Sequence, residues 1–314
     1  MVKLSHQCFL VKLRLRHLIP TLKNAFLRHP VLWSLCVIII ALGAWSFWIE
    51  QTRLVIRTEE LQLANWTPDT PPLKVAVVSD IHVGSPYWDM DSLAYLVEMI
   101  NEQQPDAIFI LGDYIISNVV GGTYRAPDEF IPILSRLSAP IGVFSVIGNH
   151  DWREDGHALI KELQQANIVV LENEAAQLNW HGTSINLIGI ADDGTQHPDL
   201  QSVLQKHLDL TSDIQILMTH NPGIYLDLIE ENKPTLMLAG HTHGGQVNFP
   251  IYGRVFVATR APKSWAHGWT QTKNGPLLVT SGVGTSIFPV RFNQPPEFVL
   301  LSLTHQTLKK QSIN

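Results

Sequence analysis

Five short segments of this 314-residue chain put side chains that can ligate a metal ion directly after apolar runs. They are Asp80-Ile81-His82, Gly112-Asp113, Gly148-Asn149-His150-Asp151, Thr219-His220 and Gly240-His241-Thr242-His243. The donors are carboxylate and amide oxygens and imidazole nitrogens, with no thiolate among them. That set suits manganese, iron or zinc better than Cu(I) or an iron–sulfur cluster. Gly112, Gly148 and Gly240 each precede a candidate ligand, where a tight turn and a close backbone approach favour a residue without Cβ. Nothing in the chain resembles a serine nucleophile elbow, so the chemistry points to metal-assisted hydrolysis.

The runs before these segments, 73–79, 107–111, 143–147, 214–218 and 236–239, are short, apolar and rich in β-branched residues. Such runs predict buried strands. Ligands of open α/β sheets gather outside the carboxyl ends of strands, so polar strand ends from distant parts of the chain can form one pocket. Helices are expected over 91–103, 128–137, 152–165, 200–207 and 224–231. Interleaved helices and strands, followed by strand-rich sequence after Gly244, predict two packed sheets flanked by helices. The run 185–190 predicts a further strand, and Asp192-Asp193-Gly194 after it a turn that can reach the pocket rim.

The ordered set D-x-H, G-D, G-N-H-D, H, G-H-x-H resembles the calcineurin-like metallophosphoesterase superfamily over residues 73–303. The resemblance implies an α/β four-layer sandwich, two packed mixed β-sheets with helices outside. It assigns Asp80, His82 and His243 to one metal and Asn149, His220 and His241 to the other, with Asp113 bridging. The implied cofactor is two divalent ions, manganese first, with iron or zinc as alternatives. Two metals about 3.5–4 Å apart can hold the attacking and leaving oxygens of a phosphoryl group and lower the pKa of a bridging water.

By the same resemblance His150 faces the substrate, placed to donate a proton to the leaving oxygen or to stabilise developing charge. Asp151 is expected to orient the His150 ring or to cap the following helix. The stretch GHTHGGQ from Gly240, and the sequence from Ser281 onward, resemble a bacterial membrane-associated phosphodiesterase subgroup. This subgroup includes enzymes acting on glycolipid precursors such as UDP-2,3-diacylglucosamine. Gly244, Gly245 and Arg291 are then expected at the substrate site, Arg291 either on a phosphate, which its guanidinium fork matches, or in a structural salt bridge. His157, His181, His197, His207, His267 and His305 lack strand-end or paired spacing and are expected at the surface or in the core.

The start of the chain differs in composition. No Asp or Glu precedes Glu50, whereas Lys3, Lys12, Arg14, Arg16, Lys23 and Arg28 precede the apolar run 31–49. That run is long enough for one membrane-spanning helix, with Trp33, Trp45 and Trp48 near its ends. The basic flank predicts an N-in topology, with an uncleaved anchor in a bacterial inner membrane and an extracytoplasmic catalytic domain. A cleaved signal peptide is the rival, since Ala41-Leu42-Gly43-Ala44 offers small residues. The segmentation is a basic flank (1–30), an anchor (31–49), a connector (50–72), a catalytic domain (73–304) and a tail (305–314). Residues 4–18 can also be read as an in-plane amphipathic helix.

The formal net charge of −6, despite the basic start, makes nucleic acid a poor partner. Cys8 and Cys36 both precede the catalytic domain, which therefore holds no disulfide. The expected activity is hydrolysis of a phosphodiester or pyrophosphate bond, with the membrane and a lipid-linked phosphate ester as partners. A nucleotide-linked lipid would lie on the cytoplasmic side and conflicts with the expected topology. The alternatives are a broad phosphomonoesterase and a non-catalytic scaffold. All seven candidate ligands are present, which disfavours the scaffold.

Overall fold

The computed structural model describes residues 29–208, 211–229 and 233–306. The chain divides into two units, one ending at Ser46 and one beginning at Phe47. In the first, helix α1 (Pro30–Ala44) is apolar on all sides and has no buried residue. It continues through a π turn and a 3-10 turn, so that Pro30–Thr52 forms one 23-residue helical stretch, within which an 18-residue window has mean hydropathy 2.1. Among the described residues this is the one helix long and apolar enough to cross a membrane. Its length and composition fit either an anchor or a signal sequence. The basic flank, the in-plane helix over 4–18 and most of the tail lie outside the described residues.

The second unit runs through β1 (Val55–Leu63), β2 (Leu73–Val78), α2 (Met90–Glu102), β3 (Ala107–Ile110), α3 (Pro127–Leu134), β4 (Gly142–Ser145), α4 (Asn149–Gln165), β5 (Ile168–Val170), β6 (Glu174–Trp180), β7 (Thr183–Ile190) and α5 (Leu200–His207). It continues with β8 (Ile214–Thr219), β9 (Leu236–Ala239), the short strands β10 (Asn248–Phe249) and β11 (Gly253–Arg254), β12 (Gly268–Thr272), β13 (Gly275–Val279) and β14 (Glu297–His305). Two six-stranded mixed sheets result, ordered β1-β14-β2-β3-β4-β5 and β12-β13-β9-β8-β7-β6.

Alternation along each strand builds the layers. Val75 and Val77 of β2 point into the space between the sheets, where they meet Ile216, Met218, Leu236 and Leu238 of the other sheet. Ala76 and Val78 face outward onto Leu93, Leu96, Phe130 and Leu159 from α2, α3 and α4. On the far side, Leu217, Met237 and Ala239 pack against Leu200, Val203 and Leu204 of α5 and Ile224. These three apolar layers between four structural layers match the expected sandwich.

Two expectations need correction. The segment 50–72 is not only a connector, because β1 pairs in parallel with β14 from Val55 to Leu63 and extends the first sheet by an edge strand. Its alternation was masked by charged residues on both faces, exposed Glu60 on one and half-buried Arg57 and Glu59 on the other. The helix expected over 224–231 is a 3-10 turn, Pro222–Asp227. Pro222 starts it, and the Asn221 side chain accepts from the Gly223 N–H, which favours a tight turn over a regular helix.

Candidate dinuclear metal centre

The site lies beyond the carboxyl ends of β2, β3 and β4 in one sheet and of β8 and β9 in the other. Asp80, His82, Asp113, His241 and His243 all adopt positive φ, between 45° and 68°. Left-handed backbone at a non-glycine residue costs on the order of 1–3 kcal/mol and persists where surrounding bonds over-determine it. Those bonds are present. The N–H groups of Asp80, His82 and Val83 donate to the carbonyls of Gly112, Asp113 and Tyr114 at 2.9, 3.0 and 2.8 Å. The His241 N–H donates to Asp80 Oδ2 at 2.9 Å, tying the two sheets' loops together.

The glycines permit this proximity. A Cβ on Gly148 would lie 2.2 Å from Asp113 Oδ1, and one on Gly240 would lie 1.9 Å from Ser79 Oγ. Neither contact is tolerable, so close approach of backbone explains both residues.

The histidines are held with particular nitrogens turned inward. His82 donates through Nδ1 to the Ile115 carbonyl at 3.1 Å, His220 through Nδ1 to Leu111 at 2.7 Å, and His241 through Nε2 to Ala258 at 2.5 Å. Since a carbonyl only accepts, each bond assigns the proton to the outer nitrogen and leaves a lone pair on the inner one. The inner atoms of His241 and His220, Nδ1 and Nε2, then face each other at 3.0 Å, and His82 Nε2 faces Nε2 of His243, a ring with no carbonyl to fix its tautomer, at 3.2 Å. Two lone pairs on His241 and His220 at that distance repel unless a proton or a metal cation lies between them.

The carboxylates complete the donor set. Asp113 Oδ2 lies 3.6 Å from His82 Nε2 and 3.1 Å from His220 Nε2, so one oxygen serves both halves of the site. Asp80 Oδ1 sits 3.4 Å from His243 Nε2 and has no hydrogen-bond partner. Asn149 Oδ1 lies 3.2 Å from His220 Nε2. The ligand atoms of Asp80, His82 and His243 fall within 4.8 Å of one another, as do those of Asp113, His220 and His241. The seven side chains therefore fit two divalent ions sharing Asp113.

Electrostatics agree with this grouping. Burial drives the pKa of His82 and of His241 down to about 4, and pushes His243 well below the usual imidazole range. His220 runs the other way, because Asp113 and Asp80 outweigh the same burial and hold it well above its ordinary value. Burial likewise opposes the charge on Asp113, but His220, His150 and His82 keep it well below the carboxylate range. A positive charge is thus favoured between Asp113 and His220, and a cation there replaces a proton.

The remaining expected residues divide. His150 lies in the wall of a cavity of about 490 Å³, its ring edge-on to His82 at 4.8 Å and its Nδ1 unpaired. Its own N–H donates to Asp113 Oδ1 at 2.8 Å, which fixes its place beside the centre. Asp151 does not orient the His150 ring. Its two oxygens accept from the N–H groups of Asp113, Tyr114, Ile115 and Gly148 at 2.8–3.0 Å, so it caps the helix start and clamps two ligand loops together. Burial and the nearby Asp113 charge raise its pKa to about 7 against those donors.

Arg291 is not a phosphate contact, nor does it form a salt bridge. It is 0% exposed, and its guanidinium donates to the carbonyls of Ser281, Gly282, Gly284 and Gln294 at 2.5–3.1 Å. Burial lowers its pKa to about 10, which leaves it charged near neutrality. The cage it organises packs Gly282 and Gly284 against Asp80 and His82, where added Cβ atoms would fall at 2.6–2.7 Å. Gly245 lines the cavity as expected, but Gly244 turns onto the Gln294 side chain instead.

Arg153, Asn221 and Gln246 also line the cavity and escaped the sequence reading. Arg153 had a signal, since it follows His150 by three positions and therefore shares its helix face. Asp192 is fully buried in the cavity wall, with Oδ1 unpaired, so the turn at 192–194 does reach the pocket. His267 is structural, paired with Glu297 at 2.9 Å.

A two-sheet α/β sandwich with paired oxygen and nitrogen ligands at its strand ends defines a metal-dependent phosphoesterase. Residues 73–245 match the family model of the calcineurin-like phosphoesterases, and the chain belongs to that family. It is 33% identical over 232 residues to the metallophosphoesterase YkuE of Bacillus subtilis, covering 73% of this chain and 78% of that one. It is 27% identical over 245 residues to the phosphodiesterase YaeI of Escherichia coli, covering 77% and 86%. Among solved structures, a purple acid phosphatase from yellow lupin aligns with TM-score 0.43 and 15% identity, over 72% of this chain and 46% of that one.

Proposed function

We propose that this chain is a membrane-anchored phosphodiesterase that hydrolyses a phosphodiester or pyrophosphate bond with two divalent ions, manganese foremost. The observation that carries the reading is the convergence of inward ring nitrogens from His82, His243, His220 and His241 around the shared Asp113 carboxylate. When bound, a pair of divalent ions polarises phosphoryl oxygens and lowers the pKa of a water between them. The chain's own groups do the rest. Asp113 balances charge on both halves, and the buried loops hold the ligands in one geometry. His150 is the proton donor for the leaving oxygen, and Arg153 supplies a cation at the wall for a phosphate oxygen. The diester preference is supported by the likeness to YaeI, named a phosphodiesterase.

The anchor reading draws on Pro30–Thr52, and a tethered active site favours a lipid-linked phosphate ester. Reporter fusions after Asn314 test the N-in topology: a silent periplasmic reporter beside an active cytoplasmic one refutes it. The catalytic reading is tested on the full chain with bis(p-nitrophenyl) phosphate and p-nitrophenyl phosphate, with and without Mn²⁺. Metal-dependent diester cleavage is expected. Monoester preference, or inactivity on both with metal bound, overturns the phosphodiesterase reading.

A further inference from the structure

The short strands β10 and β11 form a hairpin whose tip is unusual. Ile251 is 90% exposed and Tyr252 88% exposed, where tight turns are normally polar. Phe249, Val255 and Phe256, close to the tip in sequence, are exposed as well, and so are Ile287 and Phe288. The two groups adjoin, because the base of the hairpin is bound to the segment carrying Ile287 and Phe288. Asn248 donates from its N–H to the Phe292 carbonyl at 2.9 Å, Gln246 Nε2 donates to the Phe288 carbonyl at 3.2 Å, and the rings of Phe249 and Phe292 lie 5.6 Å apart. Phe256 and Ile287 also line the catalytic cavity, so the patch is the rim of its mouth. An apolar surface of this kind stabilises nothing inside the fold and implies a partner.

The identity of the partner follows from where the apolar helical stretch Pro30–Thr52 ends. Its last residues belong to the catalytic unit and are fixed to the same segment. Gln51, fully buried, donates through Nε2 to the Pro289 carbonyl, and Glu50 Oε1 accepts from the Gln294 N–H at 2.9 Å. Trp88 Nε1 adds a bond to the Gln51 carbonyl at 3.0 Å. A chain that leaves a bilayer at this point brings the segment 286–294, and the hairpin bound to it, to the membrane surface.

We infer that the rim formed by the β10–β11 hairpin and Ile287-Phe288 dips into the lipid bilayer, so that the cavity opens onto the leaflet and takes amphiphilic phosphoesters from it. This rests on reading Pro30–Thr52 as an anchor and the cavity as the phosphoesterase site. Tyr252 suits such a boundary, with an apolar ring and a polar hydroxyl. Exposed Lys263, whose Nζ donates to the Val255 carbonyl at 2.9 Å, puts a cation at the edge for anionic head groups.

The test uses the full chain, one copy per nanodisc of phosphatidylethanolamine and phosphatidylglycerol. With Cys8→Ser and Cys36→Ser, Tyr252→Cys carries an environment-sensitive fluorophore, and Glu102→Cys, exposed and at the opposite ends of the strands, is the control. Blue-shifted emission at position 252, quenched by nitroxides on the acyl chains, is expected, with water-like emission at 102. Water-like emission at 252, or a shift that requires two copies per nanodisc, overturns the inference, the latter assigning the rim to a second copy. Retained bis(p-nitrophenyl) phosphate hydrolysis by the labelled variant shows an intact fold. Absence of that activity in the parent instead refutes the phosphoesterase reading, while the label still reports immersion independently.

Discussion

The floor and the rim of this cavity are built from residues of opposite character under opposite constraints. On the floor, polar atoms are buried and the protein directs many of them: three imidazole tautomers are set by carbonyls, and Asp151 satisfies four backbone donors, while Asp80 Oδ1 and His150 Nδ1 are left for other partners. At the rim, apolar side chains are largely exposed. The floor therefore couples chemistry to folding, because its groups must be paired before they can be buried. The rim is uncoupled from folding and free to serve a partner.

The largest effect expected from breaking the floor is that of Asp113→Asn. Replacing the shared carboxylate removes charge from both halves, and kcat on bis(p-nitrophenyl) phosphate should fall on the order of 10³-fold, the scale of losing one preorganised electrostatic group. Bound metal, measured by elemental analysis, should fall with it. Full metal content with full activity would show that Asp113 bridges nothing.

Arg291→Met is expected to rank next, as a loss of stability. It leaves several buried carbonyls without a donor, for a penalty on the order of 3 kcal/mol, read as a lower Tm. The folded fraction should keep its KM. A raised KM with unchanged Tm would restore Arg291 as a phosphate contact.

Arg291 also marks how far the sequence could be read. All seven candidate ligands that the structure brings together were legible, because the five segments that carry them each follow an apolar run. The two sheets and most helices were legible for the same reason, through their periodicity. Which way a long side chain turns was not: Arg291 and Asp151 are set by carbonyls and N–H groups contributed from other loops, and no local pattern reports those partners. β1 was hidden because an edge strand with charged residues on both faces lacks the apolar run that reveals a central one.

His150→Ala separates two roles within the floor. The side chain makes no structural hydrogen bond through Nδ1, whereas the backbone N–H that holds Asp113 survives the substitution. The expected result is a fall in kcat of about 10²-fold with metal content and Tm near the parent's, the lower end of what a positioned proton donor contributes. Loss of metal in this variant would make His150 a ligand, as its grouping with His82 and Asp113 allows.

The smallest effect is expected at the rim, and it is the sharpest check on the contrast. Ile251→Ser and Tyr252→Ser remove side chains that are about nine-tenths exposed, so Tm should change by an amount corresponding to less than about 0.5 kcal/mol. Neither residue lines the cavity, so turnover of a small soluble diester should also stay at the parent value. A large drop in Tm from either substitution would mean that the hairpin tip is packed in the native protein, and the separation between a folded floor and a free rim would no longer hold.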